Sequence, residues 1–181
     1  EIDPRTTLFI VSSKSGGTIE PRLALRAVRD ALADQISDQE MAQHLVAITD
    51  PGSKLEQQAR EEGWAAVFSG EPTVGGRFSA LSVFGLLPAA LVGINLQEFM
   101  QHAVEAERAC SEDAIDNPAI GLAAFLYDNY VQGRNKFSFL TQKRGPVLGL
   151  WIAQLVAASA RKHGQGLPPT LQLPPTLPPQ A

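Results

Sequence analysis

The order of residues from Phe9 to Pro21, FIVSSKSGGTIEP, constrains this chain more than any other stretch. Leu8 to Val11 are four consecutive apolar residues, the pattern of a strand buried on both faces of a parallel sheet. Ser12, Ser13, Lys14, Ser15, Gly16 and Gly17 break that run with hydroxyls, a cation and two residues free to take positive φ. From Thr18 the pattern turns helical, with Ile19, Leu23, Ala24, Ala27, Val28 and Leu32 at helical spacing. Strand, hydroxyl-rich glycine loop, helix start: this order builds an anion pocket. The free N–H groups and the positive dipole end of the helix face the loop, and phosphate is their natural partner. Hydroxyls and Lys14 would add charge-assisted hydrogen bonds. An ordinary βα turn rich in small residues has the same composition, so the loop alone leaves both readings open. It is not a Walker-type loop, since no G-x-x-x-x-G-K-[ST] is present.

The chain that follows alternates strands with helices. Ser37-Asp-Gln-Glu40 has the form of a capping box and opens a short helix at 38–43. Leu45 to Ile48 reads as a second buried strand, closed by Thr49-Asp50-Pro51-Gly52. Ser53 caps a polar helix from Lys54 to Glu62, Gly63 ends it, and Trp64 to Phe68 is a third strand. Such spacing implies βαβ crossovers and a parallel sheet, whose ligands bind at the carboxyl ends of the strands. The 12–18 and 69–77 loops both emerge there.

Arg77 stands at the junction between the 71–76 loop and an apolar stretch, Phe78 to Ile94. That stretch is 17 residues long and contains Ser79, Ser82, Gly85, Pro88 and Gly93, so it reads as a buried core helix, broken near Leu87, rather than a membrane span. Asn95 to Glu98 opens a further helix through about Glu112, with Leu96, Phe99, Met100, Ala103 and Ala106 as its core stripe. His102 on this helix reads as a surface or packing residue rather than a metal ligand. Asn117 and Pro118 start a helix through about Gln132, which Gly133 ends. A fourth strand is expected at Phe137–Leu140, a polar turn at Gln142–Gly145 and a last helix from Val147 to about Lys162. Six of the fifteen residues from Leu167 onward are proline, the composition of a disordered tail.

A formal net charge of −4 argues against a general nucleic-acid binder or a membrane-surface protein. One cysteine, Cys110, cannot form an internal disulfide, which fits a reducing cytoplasm. Its place on a helix beside Ala109 reads as that of an inert packing residue.

Four stretches together resemble the phosphoglucose isomerase family of the sugar isomerase (SIS) superfamily. They are the 9–21 loop, LVAITDPGSKLEQQAREEG from Leu45 to Gly63, VGGRFSALSVFGLLPAALVGI from Val74 to Ile94, and NPAIGLAAFLYD from Asn117 to Asp128. LWIAQLVAAS, Leu150 to Ser159, is a weaker fifth match, and the bacterial type sometimes fused to transaldolase looks closest. The resemblance implies a three-layer αβα, flavodoxin-like fold with a parallel sheet. It implies most of a first SIS domain at 1–112, the beginning of a second at 113–166, and a proline-rich disordered tail at 167–181. The family's first domain opens with a strand and a GIGGS-type loop that have no counterpart before Thr6, so the chain looks like an internal fragment.

By the same resemblance, the activity is interconversion of glucose 6-phosphate and fructose 6-phosphate through an enediolate, without cofactor or metal. Ser13, Lys14, Ser15, Gly16, Gly17 and Thr18 match the phosphate loop, and Arg77 matches the arginine that stabilises the enediolate. On the helix at 147–160, Gln154 matches a family glutamine, and Ala158 occupies the position of the glutamate base. The isolated chain is therefore expected to be inactive, and a non-catalytic sugar-phosphate-binding module is the competing reading. The partner implied is a hexose 6-phosphate, with no nucleic acid, no membrane and a homodimeric full-length parent.

Overall fold

All five residues from Leu45 to Thr49 are buried, and the first half of the chain is built round them. The computed structural model describes residues 2–139, 146–159, 166–167 and 169–170. Strand β2 (Leu45–Thr49) lies between β1 (Phe9–Ser12) and β3 (Ala66–Ser69), parallel to both. Ile10 sits opposite Val46 in one ladder, and Val46 opposite Ala66 in the other. A central strand lacking water must pair its backbone on both sides, and apolar β-branched side chains fill both of its faces.

Helix α1 (Ile19–Leu32) connects β1 to β2, followed by the short α2 (Asp38–Ala42). Helix α3 (Lys54–Glu61) connects β2 to β3. The expected caps are in place. Ser37 and Glu40 form the capping box of α2, and the Ser53 hydroxyl accepts from the Glu56 amide at the start of α3. Gly63, at φ 67°, ends α3. Leu25 and Leu32 of α1, Met41 and Ala42 of α2, and Leu55 and Ala59 of α3 close over the sheet as one core with Trp64. Arg29 of α1 pairs with Glu62, which also accepts from the Trp64 indole at 2.9 Å. That network ties the outer face of α1 to the end of α3.

The apolar stretch from Phe78 departs from expectation. Gly76–Leu81 is a 3₁₀ turn, the break falls at Ser82, and α4 runs from Val83 to Leu91 with Pro88 inside it. None of its residues is fully buried. A helix apolar all round needs cover on more than one side.

The chain divides into two compact units, residues 1–102 and 103–181, and the division falls inside helix α5 (Leu96–Ser111). A continuous helix crosses the divide, so no loop marks it. The stripe on α5 expected to be core contains no fully buried residue.

In the second unit, the Asn117 amide donates to the carbonyls of Cys110 and Glu112 at 2.9 and 2.7 Å. Its Oδ1 accepts from Ala119 and Ile120 at the start of α6 (Pro118–Val131). One buried side chain thus ends α5 and begins α6. Cys110 is exposed rather than packed. Strand β4 (Phe137–Ser138) pairs in parallel with β5 (Pro169–Thr170), and α7 spans Pro146–Ser159. Pro169 and Thr170 of the proline-rich tail therefore pair as a short extended strand, a conformation that proline favours. The remaining tail, the 142–145 turn and the expected end of α7 at 160–162 lie outside the described residues. No helix among the described residues is long and apolar enough to cross a membrane.

The carboxylates predict how the fold responds to acid. Glu40 is held below the usual range by the Ser37 hydroxyl and then its amide, and Glu56 by Arg60 and then the Gly52 amide. Burial pushes Glu62 up, but hydrogen bonds from Arg29, Trp64 and Gln58 outweigh it and leave it lowered. Groups depressed in the folded state contribute stability above their unfolded pKa of about 4.3, and that stability is lost as pH falls through the folded values. Melting temperature should hold steady above about pH 5 and decline below about pH 4. Glu62→Gln should flatten part of the decline. A melting temperature that rises on acidification contradicts this.

Candidate functional site

Because the three strands run parallel, the loops after β1, β2 and β3 leave the same end of the sheet, and hydrogen bonds fasten them together. The Ser13 amide donates to the Ile48 carbonyl at 3.0 Å, and the Asp50 amide donates to the Lys14 carbonyl at 3.0 Å. The buried Thr49 hydroxyl donates to the Ser13 carbonyl at 2.7 Å and lies 2.7 Å from the Ser53 hydroxyl. Ser53 also caps α3. One chain of hydroxyls therefore links the first loop to a helix start.

Gly16 takes φ +64°, and a Cβ there would stand 2.7 Å from the Leu55 amide nitrogen and 2.9 Å from Ser53 Cβ. Only glycine fits this close approach. The Ser13 hydroxyl is directed at that of Thr18, 3.4 Å away, which closes the loop on itself.

The residues matched to a phosphate loop differ in what they offer. The Gly16 and Gly17 amides donate within the loop, to the Ser13 carbonyl at 3.2 Å and the Ser15 hydroxyl at 3.2 Å. Thr18 is the N-cap of α1 and makes no side-chain cap bond. The amides of Thr18, Ile19 and Glu20 find no acceptor among the described residues, and they carry the positive end of the helix. Ser15, Gly17 and Thr18 are exposed, and Ser13 is buried.

Lys14 is committed elsewhere. Its ammonium donates to both Asp50 carboxylate oxygens, at 2.9 and 2.7 Å, and to the Glu71 carbonyl at 2.8 Å. With side-chain exposures of 24% and 18%, Lys14 and Asp50 form a partly shielded pair, less screened than a surface one. Gly70 leaves room for this carboxylate, since a Cβ there would lie 2.6 Å from Asp50 Oδ1.

A cleft of about 630 Å³ opens beside the loop. Ser13 and Gly16 line it together with Leu25 and Leu55, and with the cations Arg22, Arg26, Arg29 and Lys54. Asp30 and Asp38 also line it, so the cations outnumber the carboxylates. Arg29 pairs with Glu62, and Arg26 lies 3.8 Å from Asp30.

Arg77 is exposed in the 3₁₀ turn, its guanidinium 5.8 Å from the centre of the Phe78 ring. Gln154 and Ala158 are exposed on α7 in the second unit, four residues apart and so on one helix face. Glu71 is a poor base. The Thr73 hydroxyl, the Thr73 amide and the charge of Lys14 hold its carboxyl below the ordinary range. Glu20 sits in the first turn of α1, where a carboxylate stabilises the helix dipole.

Thr49, Asp50 and Ser53 complete this arrangement, although the sequence presents them as a turn and a cap. Their signal was a polar Thr-Asp pair at the carboxyl end of a buried strand, the edge where sheets of this kind bind ligands.

A family model described as phosphoglucose isomerase matches residues 1–145. A glucose-6-phosphate isomerase of Synechococcus sp. (strain JA-3-3Ab) is 43% identical over 159 residues, covering 86% of this chain and 30% of the relative. One from Nostoc sp. (strain PCC 7120) is 40% identical over 161 residues, covering 87% and 30%. The chain thus spans about 30% of the length of the curated relatives it matches. Among solved structures, a hypothetical protein of Thermus thermophilus superimposes with a TM-score of 0.83 at 31% identity, covering 94% of this chain and 42% of that one. A glucose-6-phosphate isomerase from Chlamydia trachomatis gives a TM-score of 0.64 at 28% identity, covering 76% and 26%.

The loop packing makes a direct prediction. Gly16→Ala should lower stability by about 1–3 kcal/mol in urea unfolding, from a strained backbone and a blocked approach to α3. Gly17→Ala, whose Cβ would have the Ser15 hydroxyl at 3.8 Å as its neighbour, should be close to neutral. Equal effects at the two positions contradict the role given to Gly16.

Proposed function

This chain belongs to the phosphoglucose isomerase family, and on that premise we propose that it carries the phosphate seat and the enediolate-stabilising arginine of an aldose–ketose isomerase. The substrate class is hexose 6-phosphate, interconverted between the glucose and fructose forms. The observation that carries the reading is the junction of the 13–18 loop with the start of α1, where the amides of Thr18, Ile19 and Glu20, without an acceptor among the described residues, stand beside the Ser13 and Thr18 hydroxyls.

Such isomerisation moves a proton between neighbouring carbons. It needs an anchor for the phosphate, a base within hydrogen-bond reach and positive charge near the developing oxyanion. The loop, with Ser15 at its rim, supplies the anchor, and the arginine-lined cleft adds positive potential beside it. Arg77, exposed in the turn after the third loop, supplies charge for the oxyanion. Gln154 belongs to the same reading as a polar group on α7. A cytoplasmic chain acting in a homodimeric parent, without nucleic acid, completes it.

The second reading is a non-catalytic sugar-phosphate-binding module, favoured by Ala158 at the position matched to the base. Alanine cannot accept a proton, and a positioned base contributes about 10²–10⁴-fold.

Two measurements test these readings. Fructose 6-phosphate should shift the amide resonances of residues 13–20, and unphosphorylated fructose should not. Ser13→Ala with Thr18→Val should lose about 1–3 kcal/mol of binding through lost hydrogen bonds to a charged group. Equal response to both sugars rejects the phosphate seat. In a coupled assay the 181-residue chain should show no turnover above a mock-purified control, and Ala158→Glu alone should restore little. Turnover that disappears with Arg77→Ala would mean that another residue is the base.

A further inference from the structure

Within the proposed site, Lys14 has the chemistry of a phosphate ligand and the geometry of something else. Its three hydrogen bonds go to Asp50, in the loop after β2, and to the Glu71 carbonyl, in the loop after β3. The backbone of Lys14 belongs to the loop after β1 and accepts from the Asp50 amide. One residue therefore touches all three loops at this end of the sheet. The Glu71 carbonyl also accepts from the Val74 amide at 3.1 Å, so the ammonium grips the turn that begins the segment leading to Arg77. From there Gly75 accepts from the Phe78 amide at 2.9 Å, and Gly76 from the Ser79 hydroxyl at 2.6 Å. Short local bonds thus run from the gripped turn through the arginine.

We propose that Lys14 is a positioning residue: it tethers the Arg77-bearing loop to the phosphate loop, so that phosphate bound at one is felt at the other. The charge balance supports this. Paired with Asp50, Lys14 adds no net charge to the loop, and attraction for phosphate falls to the helix amides and the cleft arginines. A phosphate that competed for the ammonium would have to leave the Asp50 carboxylate partly buried without its partner, which is costly. The Asp50 amide in turn donates to the Lys14 carbonyl, and Gly70 leaves room for the Asp50 carboxylate. The tether itself is independent of any ligand; its coupling to phosphate rests on the proposed phosphate seat at residues 13–20.

The test uses the 181-residue chain and three variants: Lys14→Met, Lys14→Arg and Asp50→Asn. Without ligand, amide hydrogen exchange at residues 73–79 should accelerate at least about 10-fold in Lys14→Met and Asp50→Asn, while β2 amides keep their protection. Lys14→Arg, which keeps charge and donors, should recover much of the slow exchange. With fructose 6-phosphate, the parent chain should show shifts at both 13–20 and 71–79. Lys14→Met should keep the first set, with Kd within about 3-fold, and lose the second.

Unchanged exchange at 73–79 in both charge-removing variants overturns the tether. Loss of the response at 13–20 in Lys14→Met, with Asp50→Asn retaining it, overturns the proposal in favour of a direct ligand. If the parent chain does not respond to fructose 6-phosphate at either segment, the phosphate reading fails, and with it the coupling, while the exchange comparison still decides the tether. Should Lys14→Met not fold, Asp50→Asn carries both measurements.

Discussion

The burial of β2 is the constraint on which the rest of the first unit depends. Leu45, Ala47 and Ile48 have no exposed surface, and Thr49 has almost none. Backbone groups in such a place must be paired on both sides, so β1 and β3 are recruited as parallel neighbours. Parallel pairing then sends all three following loops to one end of the sheet. The position of the site is in this sense a consequence of hydrophobic burial. Its last buried member, Thr49, turns that burial into polar organisation by giving its hydroxyl to the Ser13 carbonyl.

Electrostatics divides the work between residues that the sequence presents as alike. Lys14, Arg22, Arg26, Arg29 and Lys54 are all cations near the loop or its cleft. Lys14 and Arg29 are held by carboxylates and serve mainly to connect elements. Positive potential for an anion comes instead from the first amides of α1, which find no acceptor among the described residues, and from the other cations of the cleft. Glu71 illustrates the reverse case. Thr73 and Lys14 stabilise its charged form, which makes it a good anchor for its own turn and a weak acceptor for a substrate proton.

The second unit follows a different logic. Its order comes from local devices, above all the Asn117 side chain that ends one helix and starts the next. On α6, Ile120, Leu122, Phe125, Tyr127 and Val131 each keep more than half of their surface exposed. Helices of this composition need cover on several faces, and α6 finds little of it among the described residues. The same argument explains why the apolar pattern of residues 78–94 predicted burial correctly as a tendency and incorrectly as a fact.

What the sequence determined by itself is everything carried by local periodicity and by residues with one strong conformational preference. The buried runs at Phe9 and Leu45, the caps at Ser37, Ser53 and Asn117, and the glycine ends at Gly63 and Gly133 depend on neighbours within a few positions. So the parallel α/β order and the glycine loop before α1 were legible, and the family likeness lay in the same stretches. Tertiary structure alone decided the rest, because it turned on pairs far apart in the chain. The partners of Lys14 lie 36 and 57 residues away, and no local pattern says whether an ammonium in a glycine loop will face a ligand or a carboxylate. The same holds for Gly16, whose small size matters because of Ser53 and Leu55, and for the exposed faces of α4 and α6, where hydrophobicity expresses a demand for cover and only packing determines whether that demand is met.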